Sequence, residues 1–238
     1  MGLAMNIKAI FFDMDGTLVH IPMSQEQFLR NIYQKLGLHI TIEQIKAANK
    51  NMEKWLNEKF SDYTQRTREA FVESDYRRLK VLGVKGDLHR LSERIQDYWE
   101  NFPEEANEKI YPEVKNVVRK LGGKGIRLAI VSHRTTTLSQ KSLEKQGIKK
   151  YFTCIVSPEL SGSKKGKLSP QMWKYALNGV SCKPSEVLHV DNEYETGIIG
   201  AKRVGIQPVL IDRKDVHSSV TDCIVTHDLT EILELLSH

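Results

Sequence analysis

The sequence predicts an α/β fold, with a parallel sheet between layers of helices and a separate helical segment inserted after the first strand. After residue 107, short apolar runs alternate with amphipathic stretches, and strands that alternate with helices indicate a parallel sheet. Between residues 20 and 106 the pattern changes to long, polar-rich stretches with helical spacing and few strand-like runs. These two patterns predict a sheet-containing core and a helical insertion.

The first strand is the apolar run at residues 8–12, which is closed by turn-forming Asp and Gly. The insertion then contains four stretches in which apolar residues recur every three or four positions. Turn-forming residues such as Gly37, Gly83 and Pro103 separate these stretches. The expected helices span residues 25–36, 42–59, 65–82 and 88–101. Four helices are enough for a small bundle.

After Pro112 the chain alternates between helix and strand. The expected helices span residues 113–121, 138–146, 171–177 and 198–204. The expected strands span residues 128–131, 152–156, 187–190 and 207–211. We therefore assign residues 1–19 and 107–238 to the core domain, and residues 20–106 to the helical insertion.

Composition excludes several classes of protein. Of the 238 residues, 40% are apolar and 27% are charged, which is ordinary for a globular protein, and neither a transmembrane-length run nor a secretory signal is present. We therefore expect a cytoplasmic protein with no membrane partner. The three scattered cysteines fit neither a disulfide framework nor a metal-ligand spacing. The net charge of +5 is dispersed among acidic residues, so no nucleic-acid partner is expected.

Asp13 and Asp15 follow the first strand, where open α/β sheets place their ligand crevice. Alternate residues of an extended segment point the same way, so both carboxylates can face one site. Gly16 lets the backbone turn close to a bound anion. Two nearby carboxylates repel unless a cation or a shared proton compensates, and Mg²⁺ prefers such oxygen ligands. The alternative is a solvated turn, because Asp and Gly often follow strands.

Two later segments carry groups that can bind phosphate. Ser132 follows the apolar run 128–131, and it either binds an anion through its hydroxyl or is a helix-cap or turn serine. Lys167 precedes a helix that begins near Pro170, and its ammonium either neutralises phosphate or is one more surface charge.

The run Asp-Met-Asp-Gly-Thr-Leu-Val at residues 13–19 closely resembles the first motif of the haloacid dehalogenase superfamily, most of whose members remove phosphate through an aspartyl-phosphate intermediate. Ser132 matches the second motif, a strand that ends in Ser or Thr. Lys167 lies in a segment that resembles the third, although Leu168 replaces a proline and Lys164 is an alternative. The resemblance implies a Rossmann-like three-layer core with an α-helical cap at the position of the first subclass.

The fourth, metal-binding motif of that superfamily is Gly-Asp, then another Asp and Gly-Ala. Aligned without gaps, Asp191 replaces its glycine, Asn192 its first aspartate and Gly197 its second. A shift of one residue instead makes Asp191 the ligand and Glu195 the later acid, and we favour this shift. Acids at the start of a helix also favour its dipole, which would explain Glu195 better than Asp191.

The resemblance implies a magnesium-dependent phosphatase of a small phosphorylated metabolite. Asp13 would be the nucleophile and Asp15 the general acid and base, and because dehalogenases and phosphonatases lack that acid, both activities are disfavoured. Residues assigned to the substrate are Gly16, Thr17, Ser132, His133 and Lys167. Residues assigned to Mg²⁺ are Asp13, Asp15 through its backbone carbonyl, Asp191 and Asn192. A sugar phosphomutase and a non-catalytic phosphate-binding or regulatory protein remain alternatives.

Overall fold

The computed structural model describes residues 6–236, which form two compact units. One unit contains residues 6–20 and 109–236, and the other contains residues 21–108. The strands are β1 (Ala9–Phe12), β2 (Val19–His20), β3 (Lys109–Ile110), β4 (Arg127–Val131), β5 (Phe152–Val156), β6 (Val187–Asp191), β7 (Gln207–Ile211) and β8 (Ile224–Thr226). The helices are α1 (Gln25–Lys35), α2 (Ile42–Lys59), α3 (Arg68–Val81), α4 (Leu88–Glu100), α5 (Phe102–Glu105), α6 (Val114–Gly123), α7 (Thr136–Lys145), α8 (Pro158–Ser161), α9 (Pro170–Val180), α10 (Ile199–Arg203) and α11 (Thr230–Leu235).

The first unit is built on a six-stranded sheet with the order β5-β4-β1-β6-β7-β8, in which every pairing is parallel. A separate antiparallel pair joins β2 to β3. The predicted α/β fold with a parallel sheet is therefore confirmed. Because β1 is flanked by β4 and β6, the residues that follow these three strands lie at the same edge of the sheet.

Both faces of β1 are buried, which explains its uninterrupted apolar sequence. Ile10 and Phe12 pack in one apolar cluster with residues of α6, including Leu121. Phe11 points to the opposite face and packs in a second cluster with residues of α9, including Trp173. Helices therefore cover both faces of the sheet. This packing fixes β1 and so fixes the position of the residues that follow it.

The second unit contains the four predicted helices, α1 to α4, and the short α5. Their apolar side chains form a core of their own, which includes Phe28, Tyr33 and Leu79. Helix α3 begins at Arg68, three residues later than predicted, because Thr67 caps it and a 3₁₀ turn precedes it. The interior of the second unit is partly polar. Asp75 in α3 pairs with Arg78 and accepts a hydrogen bond from Gln96 Nε2 in α4 at 2.5 Å.

Two elements near the carboxyl terminus, β8 and α11, were not predicted. Strand β8 has three residues and α11 has six, which is too short for a hydrophobic period to stand out. Among residues 6–236, no helix is both long enough and apolar enough to cross a membrane.

Candidate active site

Asp13 lies directly after the central strand of the sheet. Its backbone N–H donates to the carbonyl oxygen of Val190 at 3.0 Å, so the ladder between β1 and β6 continues to this residue. Only 5% of Asp13 is exposed. Its Oδ1 accepts a hydrogen bond from Nζ of Lys167 at 2.5 Å. The backbone of Asp13 is thus fixed by the sheet, and its carboxylate is fixed by the Lys167 ammonium.

Lys167 is 1% exposed, which excludes its interpretation as a surface lysine. Its Nζ also donates to Asp191 Oδ2 at 2.7 Å, so one ammonium joins the carboxylates that follow β1 and end β6. The Lys167 carbonyl oxygen accepts a hydrogen bond from Trp173 Nε1 at 2.7 Å, which fixes the backbone before α9. Lys164 is exposed, so Lys167 is the lysine that the fold brings to the two acids.

The charges of this cluster are strongly coupled. Burial raises the pKa of Asp13 to about 7, although the Lys167 ammonium opposes this shift. Burial disfavours the charged form of Lys167, but the two carboxylates outweigh it and hold the pKa of that ammonium above its ordinary value. The pKa of Asp191 lies well below its ordinary value, because the effects of Lys167 and His189 outweigh burial. Once Asp13 is ionised, two carboxylates and one ammonium leave one negative charge in the cluster.

Asp191 has a second set of partners. His189 Nε2 lies 2.9 Å from Asp191 Oδ2, and the backbone N–H of Glu193 donates to Asp191 Oδ1 at 2.8 Å. Burial lowers the pKa of His189, so the imidazole is neutral at pH 7 and donates from Nε2 to the carboxylate. Both carboxylate oxygens of Asp191 therefore accept hydrogen bonds.

Asp15 pairs with an arginine that the sequence analysis did not identify. Arg134 Nε donates to Asp15 Oδ2 at 2.6 Å, and Arg134 Nη2 donates to the other carboxylate oxygen. A third guanidinium nitrogen of Arg134 donates to Ser142 in α7 at 2.7 Å, which anchors the arginine. The Asp15 side chain is half exposed. The position of Arg134, two residues after Ser132, places it near the end of β4 but does not show that it pairs with Asp15.

Ser132 and His133 lie at the end of β4. The Ser132 hydroxyl accepts a hydrogen bond from the backbone N–H of Arg134 at 3.3 Å. The cap of α7 is Thr135, so Ser132 is not a helix cap, and its bond to the N–H two residues later is that of a turn serine. His133 Nε2 accepts a hydrogen bond from the backbone N–H of Lys167 at 3.0 Å. The second and third motif segments are therefore in direct contact.

Arg213 holds the turn after Asp15. It donates to the carbonyl oxygens of Gly16 at 3.2 Å and Thr17 at 2.8 Å, and it pairs with Glu113 at 2.6 Å. Gly16 has a φ of 74°, which favours glycine. The sequence analysis missed Arg213, because nothing local distinguishes it from a surface arginine.

Asn192 packs against the same turn. A Cβ added at Gly16 would lie 2.6 Å from Asn192 Nδ2, and Asn192 Oδ1 lies 3.4 Å from the Thr17 hydroxyl, which donates to it. Asn192 is thus the residue of the fourth motif segment that contacts the turn after Asp15.

Side chains at this edge of the sheet carry oxygen atoms of the kind that Mg²⁺ binds. Asp13 and Asn192 provide the hard oxygen atoms that Mg²⁺ takes, and Mg²⁺ is often bound by only one or two carboxylates together with substrate phosphate and water. Within residues 6–236, no group of three or more His, Cys, Asp or Glu side chains is arranged to hold a metal ion. The residues therefore fit a Mg²⁺ site to which the protein contributes few negative charges and a bound phosphate would contribute further oxygen ligands.

Comparisons with known proteins extend over nearly the whole chain. One relative is the glyceraldehyde 3-phosphate phosphatase of Methanothermobacter thermautotrophicus, which is 25% identical over 245 residues, covering 97% of this chain and 100% of the relative. The structure of 2-haloacid dehalogenase from Pseudomonas syringae pv. Tomato matches with a TM-score of 0.74 and 18% identity, over 97% of this chain and 98% of that one.

A further solved structure is the HAD-hydrolase YfnB from Bacillus subtilis bound to magnesium. It matches with a TM-score of 0.73 and 18% identity, over 98% of this chain and 99% of that one. At such identities the structural likeness concerns the fold alone. The model of the haloacid dehalogenase-like hydrolase family matches residues 7–205, which is most of the chain. This chain therefore belongs to the haloacid dehalogenase-like hydrolases, as the motifs at its strand ends indicated.

Proposed function

We propose that this protein is a magnesium-dependent phosphatase that hydrolyses a small phosphorylated metabolite through an aspartyl-phosphate intermediate. The observation that carries the proposal is the buried Asp13 carboxylate, which follows the central strand and lies 2.5 Å from the Lys167 ammonium. The similarity to a glyceraldehyde 3-phosphate phosphatase supports both the reaction and a small substrate.

In the first step, a carboxylate oxygen of Asp13 attacks phosphorus and the bond to the ester oxygen breaks. Asp15 donates a proton to the departing oxygen, and Arg134 orients its carboxyl group for this transfer. In the second step, Asp15 takes a proton from water while the water oxygen attacks phosphorus and the bond to Asp13 breaks. The products are the dephosphorylated metabolite and inorganic phosphate.

The surrounding residues stabilise the transferring phosphoryl group. Lys167 offers a fixed positive charge beside Asp13, and the Ser132 hydroxyl is available at the end of the neighbouring strand. Fixed charges and donors of this kind are the main contribution of a protein to phosphoryl transfer. In our proposal the amides that follow Asp15 contact the phosphate oxygens, in the turn that Arg213 holds.

The proposal of magnesium rests on charge. The ionised cluster of Asp13, Asp191 and Lys167 keeps one negative charge. While Asp15 is ionised, before it takes up the proton that it later gives to the departing oxygen, its pair with Arg134 adds no net charge. A phosphate dianion therefore enters an anionic site unless a cation accompanies it. Asp13, the Asp15 carbonyl and Asn192 would hold the ion, whereas Asp191, which the sequence also assigned to Mg²⁺, has both carboxylate oxygens in hydrogen bonds. When bound, Mg²⁺ offsets the charge of phosphate and acts as a Lewis acid at its oxygen.

A screen of phosphorylated metabolites tests the proposal, with release of inorganic phosphate measured with and without Mg²⁺. We expect release from small phosphate monoesters that depends on Mg²⁺. Transfer of the phosphoryl group to a second sugar, without release of phosphate, would contradict hydrolysis and identify a phosphomutase. Failure to bind Mg²⁺ and to hydrolyse any monoester would favour the non-catalytic alternative.

The Asp15→Asn variant is expected to lower kcat by about 10²- to 10⁴-fold, which is the usual contribution of general acid–base catalysis. The amide keeps the shape of the side chain but neither gives nor takes the required proton. The measurement is the steady-state rate of phosphate release on the substrate found in the screen.

The matched control is Asp222→Asn, which neutralises an exposed carboxylate that pairs with Lys202. This control should retain the wild-type rate. If Asp15→Asn has an unchanged rate from pH 5 to pH 9, Asp15 is not the acid and base.

A further inference from the structure

Gly197 leaves space for the Asp191 carboxylate. It lies in the π-helical turn Tyr194–Ile198, and its backbone angles are open to any residue. However, a Cβ at this position would lie 2.0 Å from Asp191 Oδ2, 2.2 Å from Cγ and 2.7 Å from the Asp191 Cβ. The glycine is therefore required by the neighbouring side chain rather than by the backbone.

The Asp191 carboxylate is not free to move away from such a group. It is fully buried and accepts hydrogen bonds from Lys167 Nζ, His189 Nε2 and the Glu193 backbone N–H. Moving it would leave a buried ammonium with a single carboxylate partner, and unpaired buried charges are costly. Position 197 therefore accepts a side chain only if the side chain at 191 is removed.

We infer that Asp191 and Gly197 are a complementary pair that supplies one buried carboxylate to Lys167, so that Asp191 positions this lysine and does not bind the metal. Lys167 in turn lies 2.5 Å from Asp13, so Asp191 acts on the nucleophile through the lysine. The adjacent residue, Asn192, has a different position, because it packs against Gly16. The importance of this pair for catalysis rests on the proposed phosphatase function, whereas its steric basis does not.

A complementary pair of this kind can be exchanged between the two positions. A Cβ at residue 197 would lie 2.0 Å from the present position of Asp191 Oδ2, which is 2.7 Å from Lys167 Nζ. An aspartate at 197 can therefore present its carboxylate to Lys167 when residue 191 is glycine. The exchanged protein, Asp191→Gly with Gly197→Asp, should work better than either single variant.

The first test is a double-mutant cycle on thermal stability, which needs no substrate. Gly197→Ala should lower Tm by roughly 5 °C or more, because overpacking a buried site is destabilising. In the Asp191→Gly background the same change should cost little or raise Tm. Glycine is required at 191 because even an alanine Cβ would lie 2.7 Å from the added carbon.

Gly179→Ala is the matched control for this cycle. Its added Cβ would lie 2.7 Å from Cys154 Sγ, a clash of α9 with β5 rather than with Lys167 or Asp191. The Tm losses of Gly179→Ala and Asp191→Gly should therefore add. If the losses of Gly197→Ala and Asp191→Gly also add, the complementary pair is refuted.

The second test separates a positioning role from metal binding. Calorimetric titration of Mg²⁺ should give similar affinities for the wild type and Asp191→Asn, and a clearly weaker affinity for Asn192→Ala. Turnover of Asp191→Gly should fall by about 100-fold, the scale for loss of a preorganised charge. Adding Gly197→Asp to this variant should raise its turnover at least tenfold. A large loss of Mg²⁺ affinity in Asp191→Asn alone would overturn the inference and make Asp191 a ligand.

The two proposals fail in different ways. If the wild type hydrolyses no phosphate ester but the stability cycle is non-additive, the phosphatase proposal fails and the steric pair stands. If the wild type is active but the exchanged protein is no better than Asp191→Gly, the positioning role fails and the phosphatase proposal stands.

Discussion

The Asp13→Asn variant is expected to fold normally and to lose at least about 10⁴-fold in kcat, the scale on which removal of a nucleophile acts. The amide has nearly the same shape, so its oxygen can still accept the hydrogen bond from Lys167 Nζ. It lacks the negative charge and the free electron pairs with which the carboxylate attacks phosphorus. The measurement is release of phosphate from the substrate found in the screen, at saturating Mg²⁺.

Two controls separate a chemical effect from a structural one. The Tm of Asp13→Asn should stay within a few degrees of the wild type, because Lys167 keeps its bond to Asp191 and burial already disfavours the charge of Asp13. The Asp222→Asn protein, prepared in the same way, should keep full activity. Hydrolysis at the wild-type rate by the folded Asp13→Asn variant would show that another group attacks phosphorus.

The central elements were predictable because their signals are local. Strand β1 is continuously apolar since helices cover both of its faces, and this burial is visible in the sequence alone. The acids that follow it come two residues apart directly after the strand. Lys167 was assigned from its place before Pro170 together with the resemblance of that segment to the third motif, and the prediction that α9 begins near this proline is confirmed.

The partners of these residues were not predictable, because they are distant in the chain. Arg134 lies 119 residues from Asp15, and Arg213 lies 197 residues from Gly16. Arginine is common on protein surfaces, so only the folded chain distinguishes these two from solvated residues. Similarly, the sequence shows only that Gly197 replaces an aspartate of the metal-binding motif. The structure shows that a side chain at Gly197 would clash with the Asp191 carboxylate.

The Lys167→Met variant is expected to lower both stability and turnover. Methionine fills a similar volume but leaves the carboxylates of Asp13 and Asp191 buried without their common counter-ion. Breaking a buried ion pair in this way typically costs about 3–5 kcal/mol of the free energy of unfolding. Loss of the fixed positive charge should also lower kcat by about 10²- to 10³-fold. Chemical denaturation and steady-state kinetics measure the two effects.

The control is Lys164→Met, which removes an exposed ammonium three residues earlier and tests the alternative motif lysine. It should keep its activity and change stability by less than about 0.5 kcal/mol. Activity lost in Lys164→Met but kept in Lys167→Met would reverse this assignment.

The pH dependence of Lys167→Met is a second signature. In the wild type the pKa of Asp13 is about 7, because burial raises it more than the Lys167 ammonium lowers it, so removal of the ammonium must raise that pKa further. Between about pH 4 and the raised pKa of Asp13, the folded variant then binds more protons than the unfolded chain. Its free energy of unfolding therefore falls as pH rises through neutrality. The loss of stability relative to the wild type should therefore be larger at pH 8 than at pH 5. An equal loss at both values would mean that the lysine contributes packing but no charge to this site.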